Sequence, residues 1–184
     1  LNLSFLNLTA NKIATNNFKF VELRKSALER EVNMSRIHAG ECEHMDMEWY
    51  GVDRQGNVAV FCSGGVGNLP EFVCENHERA DELIDYFEML EKMTSSVLMF
   101  PQSKGAEQCA RDFSDKGLYY FDASDGTKPG ICTFHKYYTK QSCPQLPLKY
   151  EQLPEKIREI LKHNFMEIED FLLAQTIQVN HAYK

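Results

Sequence analysis

The sequence has no long hydrophobic run. None of its apolar stretches approaches the roughly 18–20 residues needed to cross a bilayer. The first nine residues lack a basic segment, and polar residues interrupt their apolar positions, so they do not match a secretory leader. We therefore expect a cytoplasmic protein with no membrane partner.

A basic patch is also missing. The chain carries 20 Lys and Arg residues against 27 Asp and Glu residues, a formal net charge of -7. Residues 48–98 hold 10 acidic and 3 basic residues, so the whole imbalance lies in that segment. Proteins that bind nucleic acids normally show a basic surface. The charge pattern therefore argues against a nucleic-acid partner. It makes residues 48–98 the segment whose charge is most distinctive.

Cysteine is too sparse for a disulfide scaffold. Six cysteines are spread over 184 residues, and several lie within apolar stretches such as residues 60–62. A thiol in such a stretch usually packs as a small buried hydrophobe. We expect reduced, structural cysteines, as in a reducing compartment.

Length and composition predict one globular domain with an N-terminal arm. With 43% hydrophobic residues, a chain of this length buries enough surface to form a core without metals or disulfides. Residues 1–46 are rich in Asn, Lys and Thr and contain one predicted helix, at residues 20–32. Regular patterns begin at Met47, which predicts a domain over residues 47–184 and a dispensable arm before it.

The patterns within residues 47–184 predict an α+β fold. Apolar and aromatic β-formers flank Gly56 and Asn57, which indicates an antiparallel hairpin over residues 49–61. Strand pairs and helices are interspersed without a βαβ rhythm, which favours a single α+β domain with antiparallel hairpins and three to four helices. The other predicted elements are helices at residues 77–92, 106–116 and 154–163, a strand or buried connector at 97–100, and a strand pair at 118–121 and 131–138. The tail from residue 165 fits either a strand or a helix, and its alternation favours a strand.

The helix predicted at residues 77–92 has one strongly acidic side. Asn76 is suited to cap its N-terminus, and apolar residues recur at helical spacing on the opposite side. Such a side is commonly only a solvated surface. The alternative is a docking surface that steers a basic protein partner. The residues predicted to bind that partner are Glu78, Asp81, Glu82, Asp85 and Glu88.

A catalytic cysteine is the main competing hypothesis. Cys62 follows a predicted strand and precedes a glycine-rich loop, so it could act as a nucleophile if His77 or His135 approached as a base. The sequence around Ser63 does not match a nucleophile elbow. The glycine loop also lacks the Lys-Ser/Thr pair of a phosphate-binding loop, which favours a structural turn. We therefore predict no catalytic residues, and a small cysteine-dependent hydrolase or transferase remains the alternative.

Zinc ligands are present but not in a convincing pattern. His38, Cys42 and His44 are close together in the sequence, and Cys132 and His135 have Cys-x-x-His spacing. The second pair would face opposite sides of a strand. We therefore predict no metal site and no cofactor.

Several turn and strand residues resemble a known group of proteins. They are residues 49–61 (WYGVDRQGNVAVF), followed by Ser63-Gly64-Gly65, Leu69-Pro70, Pro147-Leu148 and Leu153-Pro154. Together they resemble uncharacterised small bacterial α+β proteins, some of which are similar to immunity proteins of polymorphic toxin systems. The resemblance covers residues 47–165 and implies a bacterial protein with a protein partner. None of its residues carries over an active site.

Overall fold

The computed structural model describes residues 36–42, 45–123 and 136–183, and those from Ile37 onward belong to one unit. The predicted helix at residues 20–32 lies outside this part. The elements in chain order are α1 (Ala39–Cys42), β1 (Glu48–Val52), β2 (Val58–Cys62), α2 (Glu71–Cys74), α3 (His77–Glu88), β3 (Ser96–Leu98), α4 (Lys104–Ser114), β4 (Tyr119–Ala123), β5 (Tyr137–Pro144), a 3-10 helix (Tyr150–Gln152), α5 (Glu155–Leu161) and β6 (Thr176–Gln178).

The six strands form one sheet, which confirms the predicted α+β class. Their order is β1-β2-β4-β5-β3, and β6 also pairs with β5. The β1–β2 hairpin is antiparallel, as predicted, and Gly56 has the positive φ of 74° that its turn requires. The β2–β4 pair is parallel, whereas the other pairs are antiparallel. Five α-helices occur in the described part; α1 and α2 have only four residues, too few to show helical periodicity.

The sheet separates two hydrophobic clusters. Because successive side chains on a strand point to opposite faces, Trp49 and Tyr50 belong to different clusters. The Trp49 side is covered by α1, α2 and the C-terminal segment. The Tyr50 side is covered by α3, α4 and α5. Helix α3 is therefore anchored on the face of the sheet that carries Tyr50.

The core begins before Met47. Ile37 and Cys42, which fall within the predicted arm, are buried in the same cluster as Trp49. The Ile37 amide also donates to the Cys74 carbonyl oxygen at 3.0 Å. Residues 37–42 are therefore part of the packed structure of this unit.

Two strand predictions differ from the structure. Strand β5 includes the predicted residues 137 and 138 and continues to Pro144, six residues beyond the predicted end; residues 131–135 lie outside the described part. The tail from residue 165 was predicted as a strand, but only residues 176–178 form one. The segment before it makes single backbone contacts, such as the donation from Met166 N–H to the Val52 carbonyl oxygen at 2.8 Å. Its alternating apolar residues cover the hydrophobic cluster without a continuous ladder.

Strand β5 also contains a buried lysine. Lys140 is 2% exposed, and its Nζ donates to the Leu172 carbonyl oxygen at 2.7 Å. The same Nζ lies 6.0 Å from the ring centroid of Tyr119 and 5.9 Å from that of Phe121. Burial lowers the pKa of Lys140, because the charged ammonium loses its hydration.

The buried lysine predicts a pH-dependent effect of Lys140→Met. With the folded-state pKa below the unfolded one, the unfolded chain binds more protons between these two values. Wild-type stability therefore gains from Lys140 as the pH rises through that window, whereas methionine does not titrate. We expect the free energy of unfolding of Lys140→Met relative to wild type to decrease from pH 7 towards pH ~10. Urea denaturation across this range measures the difference.

The control is Lys136→Met, the same change at an exposed position. A Lys140→Met difference that stays constant from pH 7 to pH ~10 would show that the ammonium carries no burial penalty.

Candidate functional site: the acidic face of helix α3

Helix α3 is fixed by its N-cap and by its buried side. The Asn76 side-chain oxygen accepts the Arg79 backbone N–H at 2.8 Å and so satisfies one unpaired donor of the first turn. Leu83 and Phe87 are buried on the opposite side, and the Phe87 ring stacks on Tyr50 with centroids 4.3 Å apart. These contacts hold the helix against β1 and turn its polar side outward.

The helix ends at Glu88, four residues earlier than predicted. The Met89 amide donates to the Asp85 carbonyl oxygen, and Lys116 Nζ donates to the carbonyl oxygens of Phe87 and Glu88 at 2.8 and 3.0 Å. The lysine places a cation at the negative end of the helix dipole. The amides of residues 93 and 94 then donate to the Asp115 carbonyl oxygen, which takes the chain off the helical path.

The five predicted carboxylates share one side of α3. At 100° per residue they fall within an arc of about 120°, opposite Leu83 and Phe87. We call this surface the acidic face; its members are Glu78, Asp81, Glu82, Asp85 and Glu88. All except Glu82 are exposed, and Glu82 is half-buried. The structure therefore brings together the full set of residues that the sequence pattern selected.

The carboxylates differ in their partners. Asp81 lies 2.9 Å from His77 Nδ1, and Glu82 forms an ion pair with Lys156 of α5. The side chains of Glu78, Asp85 and Glu88 form no ion pair with any residue of the part of the chain that the structure describes. Three neighbouring negative charges are therefore directed towards solvent.

Two residues that the sequence pattern did not select extend this surface. Met89 is 84% exposed, and its angular position on the helix falls within the acidic arc. Glu48 of β1 lies close enough to Glu88 for their charges to interact. Burial raises the pKa of Glu48, and the carboxylate of Glu88 raises it further, whereas a hydrogen bond from Tyr50 lowers it. Helical spacing in the sequence is enough to place Met89 on the acidic face. The approach of Glu48 depends on tertiary packing.

Cys62 does not have the environment of a catalytic thiol. It ends β2, where its neighbours in register are Glu48 on β1 and Asp122 on β4. Burial raises the pKa of Cys62, and these two carboxylates raise it further. A nucleophilic cysteine requires the opposite shift, because the thiolate is the reactive form. His77 is engaged with Asp81, and His135 lies outside the described residues.

The loop after Cys62 is a turn whose polar groups are used internally. Ser63 is buried, and its hydroxyl oxygen accepts the Met47 N–H at 2.8 Å. Gly64 N–H donates to the Asp46 carboxylate at 2.7 Å, and Gly67 N–H donates to the Ser63 carbonyl oxygen at 2.7 Å. Amides that already donate to protein oxygens are not arranged to hold a phosphate.

The residues considered as zinc ligands do not form a cluster in the described part of the chain. His38 is exposed on the residue before α1, whereas Cys42 is buried in the core. His44, Cys132 and His135 lie outside the described residues. Within residues 36–42, 45–123 and 136–183, no three His, Cys, Asp or Glu side chains come together to hold a metal ion.

Comparisons of the chain with known proteins give no family. No protein-family model, curated protein or solved structure matches it. The resemblance to small bacterial immunity-type proteins therefore remains an expectation. In the ranges that the structure describes, no helix combines the length and apolar character that a bilayer crossing requires.

Proposed function

We propose that this protein is a non-catalytic binding protein that contacts a basic protein partner through the acidic face of α3. The observation that carries the proposal is the group of three exposed carboxylates, Glu78, Asp85 and Glu88, without ion pairs among the described residues. Such a group steers a positively charged partner towards one orientation and disfavours negatively charged ones.

Met89 supplies the apolar component of this surface. Protein interfaces commonly combine a desolvated apolar centre with a polar rim, and methionine is enriched at such centres. Met89 has an exposed side chain within the acidic arc. The complementary partner would carry Lys or Arg side chains around an apolar pocket that receives this methionine.

The charges of the acidic face also have an energetic consequence. Glu78/Glu82 and Asp81/Asp85 are like-charge pairs at i,i+4, and each costs an isolated helix about 0.2–0.5 kcal/mol. Lys156 and His77 relieve part of this repulsion at Glu82 and Asp81. A basic partner would relieve the repulsion that remains among these carboxylates. Relief of this repulsion would add to the free energy of binding.

A narrower form of the proposal concerns the kind of partner. The resemblance to immunity proteins supports an inhibitor that acts in the bacterial cytoplasm and covers a toxin or another basic protein stoichiometrically. The alternative function is that of a small hydrolase or transferase that uses Cys62 as its nucleophile. The raised pKa of this thiol argues against that function, because it disfavours the reactive thiolate.

Charge reversal tests the acidic face. We expect Glu78→Lys/Asp85→Lys to weaken association with the partner at least tenfold, because two attractive contacts become repulsive. Asp85 and Glu78 are preferred to Glu82, whose reversal would also break the pair with Lys156. Partners would be captured from the native cells with tagged wild-type protein, and affinities then measured with the purified partner at several salt concentrations.

The charge control is Glu167→Lys/Glu169→Lys, which changes the net charge equally at another exposed surface. It also breaks the exposed ion pairs of these two residues with Arg54, so its free energy of unfolding is measured alongside. This variant should bind like wild type apart from a small general charge effect. Equal affinity of the Glu78→Lys/Asp85→Lys variant and wild type would exclude the acidic face as the contact surface.

A further inference from the structure

Two buried thiols lie side by side on the Trp49 face of the sheet. Cys42 ends α1 and Cys74 ends α2, and their Sγ atoms are 3.9 Å apart. Both residues belong to the same hydrophobic cluster. They are separated by 32 positions in the sequence, so a bond between them would close a long loop.

The backbone already holds the two segments together. Ile37 N–H donates to the carbonyl oxygen of Cys74 itself at 3.0 Å, and the Tyr183 hydroxyl donates to the Ile37 carbonyl oxygen. A disulfide has an S–S length of about 2.05 Å, so the sulfur atoms need to approach by roughly 1.9 Å. A change of χ1 rotamer at either cysteine moves its Sγ by at least this distance.

We propose that Cys42 and Cys74 form a disulfide bond when the protein meets a disulfide oxidant such as glutathione disulfide. This inference is independent of the acidic face. It makes the pair a site of oxidative modification that ties residues 37–42 to α2.

The reaction is an exchange of thiols and disulfides. A thiolate of the pair attacks one sulfur of glutathione disulfide, forms a mixed disulfide and releases one glutathione thiolate. The second protein thiolate then attacks the protein sulfur of that mixed disulfide and releases the second glutathione. The two cysteines are oxidised by two electrons, glutathione disulfide is reduced to two glutathiones, and the two thiol protons go to the released thiolates.

Cys42 is the more accessible starting point. Helix α1 has only four residues, and Ala39, Gly40 and Glu41 are exposed. Short elements with few buried residues open locally more often than the core does. Once Cys42 carries glutathione, closing α1 again brings Cys74 to the mixed disulfide. The neighbouring thiol then favours the internal bond over a stable glutathione adduct.

Peptide mapping of the full-length protein tests the proposal. The folded protein is incubated with glutathione disulfide, quenched in acid, alkylated under denaturing conditions and mapped by mass spectrometry. We expect a linked peptide that contains Cys42 and Cys74. We also expect an increase of roughly 5–10 °C in Tm for the oxidised protein, because the closed loop restricts the unfolded chain.

Two variants make the result specific. Cys109→Ala, which removes an exposed thiol of α4, should keep both the linked peptide and the Tm increase. Cys42→Ala should lose both. Recovery of Cys42 and Cys74 as alkylated thiols, as separate glutathione adducts or as partners of other cysteines would overturn the proposal. Because the mapping uses wild-type protein, this decision stands even if Cys42→Ala fails to fold.

Discussion

Replacement of Asp53 by alanine is expected to lower the free energy of unfolding by about 4 kcal/mol. The carboxylate is fully buried at the end of β1. One oxygen accepts the backbone N–H groups of Gln55 and Asn57 at 3.0 and 2.8 Å. The other accepts the Asn57 side-chain amide at 2.8 Å and the Phe171 N–H at 2.7 Å. Alanine leaves the three backbone N–H groups without an acceptor, whereas the Asn57 amide keeps a longer bond to Asp170 Oδ1 at 3.3 Å. A buried donor costs about 1–3 kcal/mol when it is unpaired.

Urea denaturation followed by tryptophan fluorescence measures this loss, because Trp49 is the only tryptophan. Asp112→Ala is the control: Asp112 forms an exposed ion pair with Lys92 at 2.8 Å, so its removal should cost no more than about 1 kcal/mol. A loss below ~1 kcal/mol for Asp53→Ala would mean that water replaces the carboxylate at these donors.

Trp49→Ala should have an effect of similar size, a loss of about 3–5 kcal/mol. Trp49 is 2% exposed, and its ring stacks on Phe61 with centroids 4.0 Å apart. It also meets the edges of Phe72 and Tyr138 at 5.8 and 5.5 Å. Alanine would remove most of these contacts and leave a cavity between the sheet and the elements that cover it.

Circular dichroism during thermal and urea denaturation measures this variant, since its fluorescence is lost. Trp49→Phe separates two contributions: the smaller ring keeps much of the stacking but loses the hydrogen bond from Trp49 Nε1 to the Tyr138 hydroxyl oxygen at 3.2 Å. We expect this variant to lie between wild type and Trp49→Ala. Equal losses for the two variants would assign the effect to the hydrogen bond and not to ring packing.

Local sequence patterns were sufficient for the acidic face. The five carboxylates recur at the helical period opposite an apolar stripe, and Asn76 marks the helix start. Likewise, Gly56 and the flanking β-forming residues identified the β1–β2 hairpin. In these cases residues close in the sequence determine both the element and the direction in which its side chains point.

Long-range contacts determine what the patterns missed. Lys156 reaches Glu82 only because α5 packs beside α3, and nothing in either segment encodes that pair. The early end of α3 depends on Lys116, 28 residues after Glu88. The approach of Cys74 to Cys42 also depends on how two short helices meet, so their sequence spacing gave no signal for it.

The parallel pairing of β2 and β4 has a consequence for how the chain reaches its native state. Ala59 pairs with Tyr119, about 60 residues later, so formation of this ladder must close a loop that contains α2, α3 and α4. Pairings of such high contact order slow folding. Until they form, the newly made hairpin exposes an apolar strand edge that can pair with another chain. We therefore expect intramolecular pairing of β2 with β4 to compete with pairing between two unfinished chains.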